Sequence, residues 1–271
     1  MISRRRLLSI SLGSVVPAST AFAQQRRSLG DPLRLGVDLA LFDSGLATAL
    51  LQGFGRDTGI AVLPAAAPAL PLLEALARGE FDAALSNAPD AEARLVEQGL
   101  AHDRHAMAEG SFVIVGPAPH RKQKDPAAIA GLRSAAEALF QLRSAALAMP
   151  GAVSFLTAAD GSGAHVREQA LWREAKLAPA APWYRVAEPK ASLIAQARER
   201  GAYALVERAA WAARGGAPLA VLVDADPLLA EKVHVLRAFR ATHPAGKLLV
   251  AWFSGPKGQR IVAAQRGYRT A

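Results

Sequence analysis

The chain has 271 residues, a formal net charge of +9 and no cysteine. The absence of cysteine excludes a disulfide framework, a thiolate metal site and a lipid-accepting cysteine. The basic residues are scattered and lack the interleaved aromatic side chains of a nucleic-acid platform, so they indicate a solvated basic surface and we expect no nucleic-acid partner.

The first residues show the three parts of a cleaved export signal. Arg4-Arg5-Arg6 precedes an uncharged run over residues 7–22, and Ala21-Phe22-Ala23 stands before Gln24. This arrangement predicts removal of residues 1–23 and a soluble protein in the periplasm. The three arginines also fit the twin-arginine pattern, although the general export route accepts the same charges. An uncleaved membrane anchor is disfavoured because a spanning helix needs roughly 20 apolar residues.

Strands and helices alternate through the first part of the chain. Short apolar runs between turn residues predict strands, and apolar residues at helical spacing predict helices. The predicted strands lie at residues 33–37, 60–63, 81–85 and 112–115, and the predicted helices begin after Gly45 and span 68–78 and 90–98. His102 and His105 are interpreted as solvated loop residues, because a metal pair at this spacing lacks a third ligand.

A change of composition at Gly116-Pro117 separates this part from a second series of strands and helices. Its predicted strands lie at 153–157, 202–206, 220–223 and 233–236, and its predicted helices begin at Asp125 and Ala164 and span 132–147, 192–200, 208–214, 243–253 and 256–266. This order predicts an α/β fold of two lobes, each with a mostly parallel sheet, joined by a hinge. Clefts between such lobes are preferred ligand sites.

The stretch at residues 155–172 is the place where a ligand is most expected. An apolar strand runs into Asp160-Gly161-Ser162-Gly163, and helical composition begins at Ala164. The first N–H groups of a helix lack intrahelical partners and the helix dipole adds positive potential, so this turn can hold an anion or a polar ligand. The alternative is a turn that only caps the helix. The turn lacks the G-x-S-x-G spacing of a nucleophile elbow, and we expect no catalysis.

Several separated segments occur in a recognisable order. They are residues 42–46 (FDSGL), 77–82 (ARGEFD), 89–96 (PDAEARLV), 112–117 (FVIVGP), 125–132 (DPAAIAGL), 160–165 (DGSGAH), 171–172 (LW), 183–184 (WY), 202–203 (AY), 207–208 (ER) and 253–261 (FSGPKGQRI). Together they resemble the substrate-binding component of bacterial tungstate ABC transporters, a branch of the type II periplasmic binding proteins. The resemblance covers nearly the whole chain after the export signal.

The resemblance implies a division into two lobes with a ligand in the cleft. Lobe one would comprise residues 32–117 and 218–271, and lobe two residues 118–217. The chain would cross between the lobes near Gly116-Pro117 and near Ala217-Pro218, where hinge motion would be concentrated. Closure of the cleft around the ligand would be detected by a membrane permease.

The positions at which the family holds its oxyanion depart from the family pattern. The serines and threonines expected after the first strand are replaced by Asp38-Leu39-Ala40-Leu41, and an arginine and a threonine are replaced by Ala158 and Ala164. An oxyanion that leaves water needs several donors and a cationic partner, and a nearby carboxylate repels it. The native ligand is therefore left open, and Asp38 can instead receive an amine or a hydroxyl donor.

Ten residues are the candidate ligand contacts, because they stand at strand ends and helix starts on the expected cleft side or in the family segments. They are Asp38, Asp43, Ser44, Asn87, Ser111, Asp160, Ser162, Gly163, His165 and Arg208. Turn and cap roles are the alternatives for Asp38 and Ser44. Trp183-Tyr184 is interpreted either as an aromatic wall for an organic ligand or as packing of lobe two.

The sequence thus predicts a monomeric periplasmic solute-binding protein of an ABC transporter. It would capture a small molecule or an oxyanion without covalent chemistry, with no cofactor and no metal, and its partner would be a permease in the inner membrane. The alternative is a ligand-sensing protein that signals to another membrane partner, because both roles would use the same closed form.

Overall fold

The computed structural model describes residues 28–120, 125–189, 191–241 and 243–271. The export signal predicted at residues 1–23 lies outside these described residues. Within the described ranges no helix is long and apolar enough to cross a membrane.

The part of the chain before the longest strand has the predicted alternation of strands and helices. Its elements are β1 (Leu33–Asp38), α1 (Leu39–Asp43), α2 (Leu46–Thr58), β2 (Val62–Ala67), α3 (Ala69–Arg78), β3 (Ala83–Ser86) and α4 (Pro89–Glu97). Gly59 and Gly79 end α2 and α3 with φ of 68° and 79°. This left-handed conformation costs glycine little, which is why the two helix ends are recognisable in the sequence.

The next strand, β4 (Ala101–Pro117), is much longer than the strand predicted at 112–115. His102 and His105 lie on it, so the interpretation of both as loop residues is wrong, although His105 is exposed to solvent as predicted. The pairing register of β4 shifts between His102 and His105 and again between Ala106 and Ala108. Such bulges break the two-residue alternation of a strand, and the periodicity of the sequence therefore did not reveal this part of β4.

The remaining elements follow the predicted order, with two short strands that were not predicted. They are α5 (Ala135–Ala148), β5 (Phe155–Thr157), α6 (Gly163–Glu174), β6 (Tyr184–Val186), α7 (Leu193–Arg200), β7 (Ala204–Glu207), α8 (Arg208–Arg214), β8 (Leu219–Val223), β9 (Ala230–Ala238), α9 (Gly246–Ser254), α10 (Pro256–Ala264) and β10 (Arg269–Thr270). The two strands that were not predicted are β6 and β10. The helix predicted to begin at Asp125 is wrong. The Asp125 carboxylate accepts from the N–H of Ala130 at 2.9 Å and from the Tyr203 hydroxyl at 2.8 Å, so it closes a turn.

β4 joins two groups of strands. β1 pairs in parallel with β2 and β3, and β9 lies antiparallel between β3 and the first part of β4, residues 101–111. The second part of β4, residues 112–117, pairs antiparallel with β7 and β8, and β5 and β6 continue this group in parallel. The first group with its helices is lobe one and the second is lobe two. Both groups of strands therefore combine parallel and antiparallel pairs. The pairs of β4 with β7, β8 and β9 and the pair of β3 with β9 are antiparallel, and the pairs of β1 with β2 and β3 and of β5 with β6 are parallel.

The residue bounds of the two lobes stay a prediction. β8 (Leu219–Val223) falls in the predicted second segment of lobe one, residues 218–271. Its hydrogen bonds go to the part of β4 that also pairs with β7, the last strand of lobe two before it. Strand pairing therefore favours a lobe two that extends beyond residues 118–217 at both ends.

Each lobe has its own apolar core. In lobe one Phe54 meets Phe253 and Trp252 edge to face, with ring centroids 6.0 and 5.7 Å apart. In lobe two Trp172 meets Trp183 at 5.9 Å and Tyr184 at 6.1 Å. Trp183 is buried and neither it nor Tyr184 lines the cavity described below. Of the two interpretations of this pair, packing of lobe two is therefore confirmed.

Candidate functional site

A cavity of about 620 Å³ lies between the two lobes. Lobe one contributes α1 and the residue before α3, and lobe two contributes the turn before α6, the loop after β6, and residues of α7, β7 and α8. Most of the wall consists of alkyl side chains such as Val186, Leu193 and Ile194. A volume of this size is typical of sites for small organic molecules.

The lobes also touch directly around this cavity. The N–H of Leu70 at the start of α3 donates to the carbonyl oxygen of Gly161 at 2.9 Å. The carboxylate of Asp43 on α1 accepts from both terminal nitrogens of Arg214 on α8, at 2.8 and 2.9 Å. Asp43 is one of the predicted ligand contacts and it lines the cavity. Its charge, however, is already paired across the cleft.

Side chains of the turn before α6 accept hydrogen bonds from three backbone N–H groups around the helix start. The N–H of Ser162 donates to Asp160 at 2.9 Å, the N–H of Gly161 to His165 Nδ1 at 3.0 Å, and the N–H of His165 to Ser162 Oγ at 3.3 Å. Burial lowers the pKa of His165, with an opposing contribution from Asp160, which fits an imidazole that accepts at Nδ1. The turn predicted as an anion cradle is thus partly filled by its own side chains, which accept from Gly161, Ser162 and His165 and leave the N–H groups of Gly163 and Ala164 without a hydrogen bond to any described side chain.

Asp38 is fully buried at the end of β1. Its Oδ1 accepts from the N–H of Ala40 at 2.9 Å and so caps α1. The amides of Gly163 and Ala69 also face the carboxylate, without meeting hydrogen-bond geometry, and Oδ2 has no hydrogen-bond partner among the residues that the structure describes. Burial raises the pKa of Asp38 to about 7, against the effect of these three amides, and the charge of Asp160 adds to the rise. Asp38 therefore places its own carboxylate against amides of both lobes.

A further contact between the lobes involves Asn87, Gly163 and Glu231. The Asn87 side chain, in the loop after β3, donates from Nδ2 to Glu231 Oε1 at 2.8 Å. A Cβ at Gly163 would collide with the Asn87 side chain, so the approach of α6 to this loop requires glycine. Burial raises the pKa of Glu231 to about 8, opposed by the Asn87 hydrogen bond and increased by the charge of Asp38. The predicted contacts Asp38, Asn87 and Gly163 are thus brought together beside a carboxylate that the sequence analysis had not selected.

Only three of the ten predicted contacts line the cavity, namely Asp43, Asp160 and Ser162. Three of the other seven, Ser44, Ser111 and Arg208, also lie apart from the inter-lobe contacts described above. The Ser44 hydroxyl donates to the carbonyl oxygen of Leu41 at 3.2 Å. Arg208 donates from Nε to the Ser111 hydroxyl at 2.9 Å and pairs with Asp224 at 2.7 Å. The structure therefore gives Ser44, Ser111 and Arg208 partners within the protein, and their role as ligand contacts stays a prediction.

Glu207 was missed in the sequence, although it lines the cavity. It ends β7 and is buried, and burial raises its pKa well above the usual range, with further increases from the charges of Glu231 and Asp38. Glu207-Arg208 is one of the family segments, and of these two residues only Arg208 was a candidate ligand contact, because a cation suits an anionic ligand. The signal that pointed to Glu207 was a carboxylate at the end of a wholly apolar strand on the cleft side.

Comparisons with known proteins agree with this architecture. A family model described as a PBP superfamily domain matches residues 40–246. The tungstate-binding protein TupA of Peptoclostridium acidaminophilum is 30% identical over 231 residues, which cover 81% of this chain and 76% of that protein. A protein of Haloferax volcanii provisionally named an ABC transporter anion-binding protein is 31% identical over 177 residues, 65% of this chain but only 48% of that protein.

A solved structure gives the same result. The tungstate ABC transporter structure from Geobacter sulfurreducens superposes with a TM-score of 0.74 and 27% identity, covering 87% of this chain and 99% of that one. The sequence matches and the structural superposition each cover more than half of this chain. The chain therefore belongs to the PBP superfamily, and within it to the family of type II solute-binding proteins that contains these tungstate-binding relatives.

Proposed function

We propose that this chain captures a small solute in the cavity between its lobes and presents the closed form to an ABC permease, without chemical change of the solute. The observation that carries the proposal is the cavity itself. It is lined from both lobes, and Asp43 and Arg214 on its rim pair across the cleft. A solute that contacts both walls stabilises the closed form, because its binding free energy is available only when the lobes are together.

The place of action and the partner are part of the same proposal. The export signal at residues 1–23 supports a periplasmic protein. The names of the relatives support an ABC permease as the partner, and a monomer fits a protein whose two lobes enclose the site by themselves. We infer that the protein has no catalytic activity, because its family consists of binding proteins.

The names of the relatives make tungstate the first ligand to test. The cavity is poorly suited to tungstate, since the N–H groups of Ser162 and His165 already have side-chain acceptors and Asp38 places a carboxylate against the amides of Ala40, Gly163 and Ala69. The proposal therefore specifies a solute in this cavity and does not require tungstate.

The test is a thermal-shift screen of the mature protein with oxyanions, amino acids, amines and sugars, followed by calorimetry of each hit. A ligand at 100 times its Kd stabilises the folded state by about 2.7 kcal/mol. The cavity is verified with Ala158→Trp, which fills the lining at the turn before α6, and we expect this variant to lose binding. The matched control is Ala152→Trp, an exposed position outside the lining.

Two results would contradict the proposal. One is the absence of any stabilising solute in the whole screen. The other is a hit that Ala158→Trp binds as well as the unsubstituted protein, because that hit would bind elsewhere.

A further inference from the structure

Three carboxylates are buried near one another beside the cavity, and Glu207 is the one of the three that lines it. Asp38, Glu207 and Glu231 have relative exposures of 0%, 6% and 1%. They come from the end of β1, the end of β7 and the start of β9, so both lobes contribute. None of the three takes part in an ion pair with any described residue. Buried charges in proteins are ordinarily paired, so this cluster lacks a positive partner.

The same region holds four buried oxygen atoms that accept no hydrogen bond from the described part of the chain. They are Asp38 Oδ2, Asn87 Oδ1, Glu207 Oε1 and Glu231 Oε2. When the three carboxyl groups are ionised all four atoms are acceptors, and an acceptor that is buried without a donor costs free energy. A ligand that satisfies them must therefore bring several N–H or O–H donors.

The charges of the residues that line the cavity indicate which kind of donor group the ligand carries. Besides Glu207 it carries the acidic residues Asp43, Asp160 and Glu188, whereas Arg214 is the single cation of the lining among the described residues and is already paired with Asp43. Most of the remaining wall is alkyl. The cavity thus favours a ligand with a positive head and an apolar body.

A bare metal ion fits this arrangement poorly. Among the described residues no group of three or more histidine or acidic side chains is placed so that it could hold one metal ion. An ammonium or guanidinium head has several N–H donors pointing in different directions, and can meet acceptors that are too dispersed for a single coordination sphere.

We propose that the native ligand is a small organic cation, a protonated amine or guanidinium with an apolar body, whose charged head binds at Glu207 on the cavity wall. The unpaired buried oxygens of Asp38, Asn87 and Glu231 lie behind Glu207 and add negative potential there. This inference rests on the proposed solute-binding function and specifies the ligand of the same cavity.

Binding of such a cation should depend on pH with a defined sign. Asp38, Glu207 and Glu231 face each other, Asp160 faces them from the turn before α6, and Tyr268 near the C-terminus faces Glu231, Glu207 and Asp38. No cationic group contributes to the pKa of Glu231. Without a ligand, burial and neighbouring negative charges raise the pKa of Asp38 to about 7 and that of Glu231 to about 8, so these two carboxylates take up protons as the pH falls from 8 to 6. Protonation removes the negative charge that the cation needs, and affinity should therefore weaken as the pH falls from 8 to 6.

The experiment compares matched probes by calorimetry at pH 8 and pH 6. The cations are n-butylamine, n-hexylamine, phenethylamine and butylguanidine; 2-phenylethanol is the neutral match of phenethylamine, and tungstate is the anion. We expect at least one cation to bind at pH 8, to bind about tenfold or more weakly at pH 6, and to bind far more tightly than the neutral match. Glu207→Gln should weaken the cation about tenfold or more, and Glu97→Gln, an exposed position on α4, should leave it unchanged.

The outcomes separate this inference from the proposed function. If tungstate or a neutral solute binds in the cavity and no amine does, the ligand class is overturned and solute binding stands. Tungstate binding that strengthens as the pH falls would also overturn it, because that sign requires protonated carboxyl groups that donate to an oxyanion. If no cation in the panel binds at pH 8, the inference fails, and the wider solute screen then decides whether the proposed function fails with it.

Discussion

Asp38 has the largest influence of any single side chain on what the cleft can bind. Its carboxylate caps α1 through Ala40 and faces amides from both lobes, so it uses groups that would otherwise be available to an anion. At short range and partial burial a second negative charge in this place would be repelled by several kcal/mol. The preference of the site for one sign of charge therefore depends strongly on one residue.

Asp38→Thr tests this dependence. The substitution removes the buried charge and supplies a hydroxyl, so we expect its affinity for tungstate to exceed that of the unsubstituted protein by about tenfold or more. Calorimetric titration at pH 7 measures the difference, and Asp90→Thr, on the exposed side of α4, is the control. Unchanged or lower affinity would place Asp38 outside the ligand site.

Glu231 should make the stability of the free protein fall as the pH rises. Its pKa, about 8 in the folded protein, lies above the value near 4.3 of an unfolded chain, so between these values the folded state holds more protons. Stability then decreases with rising pH, by about 1.4 kcal/mol per pH unit for each proton held. The contribution is complete at low pH and is lost as the pH rises toward 8.

Glu231→Gln should make this decrease shallower. The variant cannot take up the proton, and loss of its charge also removes one cause of the raised pKa of Glu207. Urea unfolding at pH 5, 6, 7 and 8 gives the slope for the unsubstituted protein, for Glu231→Gln and for Glu97→Gln as the exposed control. Equal slopes in all three proteins would show that Glu231 is not protonated in the folded state.

At the scale of elements, the start of α6 lies against the loop between β3 and α4. The contact depends on Gly163, because a Cβ there would overlap the Asn87 side chain. Gly163→Ala should therefore separate the two elements and destabilise the closed form, at a cost of about 1–3 kcal/mol for overpacking. The expected result is a lower free energy of unfolding and weaker binding of any ligand found for the cavity.

A second substitution distinguishes this collision from a loss of backbone freedom. Asn87→Ala in the Gly163→Ala background removes the overlapping atoms, so it should recover part of the lost stability. If the double variant is as unstable as the sum of the two single changes predicts, the collision with Asn87 is not the cause.

Most elements could be predicted from sequence because their signals are local. α3 has apolar residues at helical spacing and ends at Gly79, and the bounds predicted for it differ from the structure by one residue. The first part of β4 could not be predicted, because its burial alternates irregularly and its pairing partner β9 lies more than 100 residues later. The turn at Asp125 was taken for a helix start because an aspartate before a proline suits both, and only the Tyr203 hydroxyl from a distant strand decides between them.

The site could be predicted only in part, because its residues are far apart in the sequence and meet only in the folded chain. Asp38, Asn87 and Gly163 were selected individually, each from its position at a strand end or a helix start. What the sequence could not show is that they meet, or that Glu207 and Glu231 complete the group from β7 and β9. Whether a buried carboxylate has a partner depends on three-dimensional packing. The family resemblance implied an oxyanion, which made arginine and serine the expected contacts and not glutamate.

At the scale of the whole molecule, the chain enters lobe two once and leaves it once. The described apolar core of lobe two is built entirely from residues between Phe112 and Leu229, whereas lobe one needs segments from both sides of this range. The lobes share β4, a few contacts at the cleft, and Ala209 of α8, which packs into the core of lobe one. Closure can therefore occur as a movement of two preformed bodies, with little change inside either of them.

This organisation predicts that a fragment of residues 112–229 folds without the rest of the chain. It contains the second part of β4, β8 and the aromatic cluster around Trp172, and its length lies in the range of independent domains. We expect a cooperative urea transition and a near-ultraviolet circular dichroism signal from the packed tryptophans. The matched comparison is a fragment with the bounds that the sequence predicts, 118–217, which lacks two hydrogen-bonded strands of the sheet and should remain largely unfolded. Equal stability of the two fragments, or no transition in the longer one, would mean that lobe two depends on lobe one for its fold.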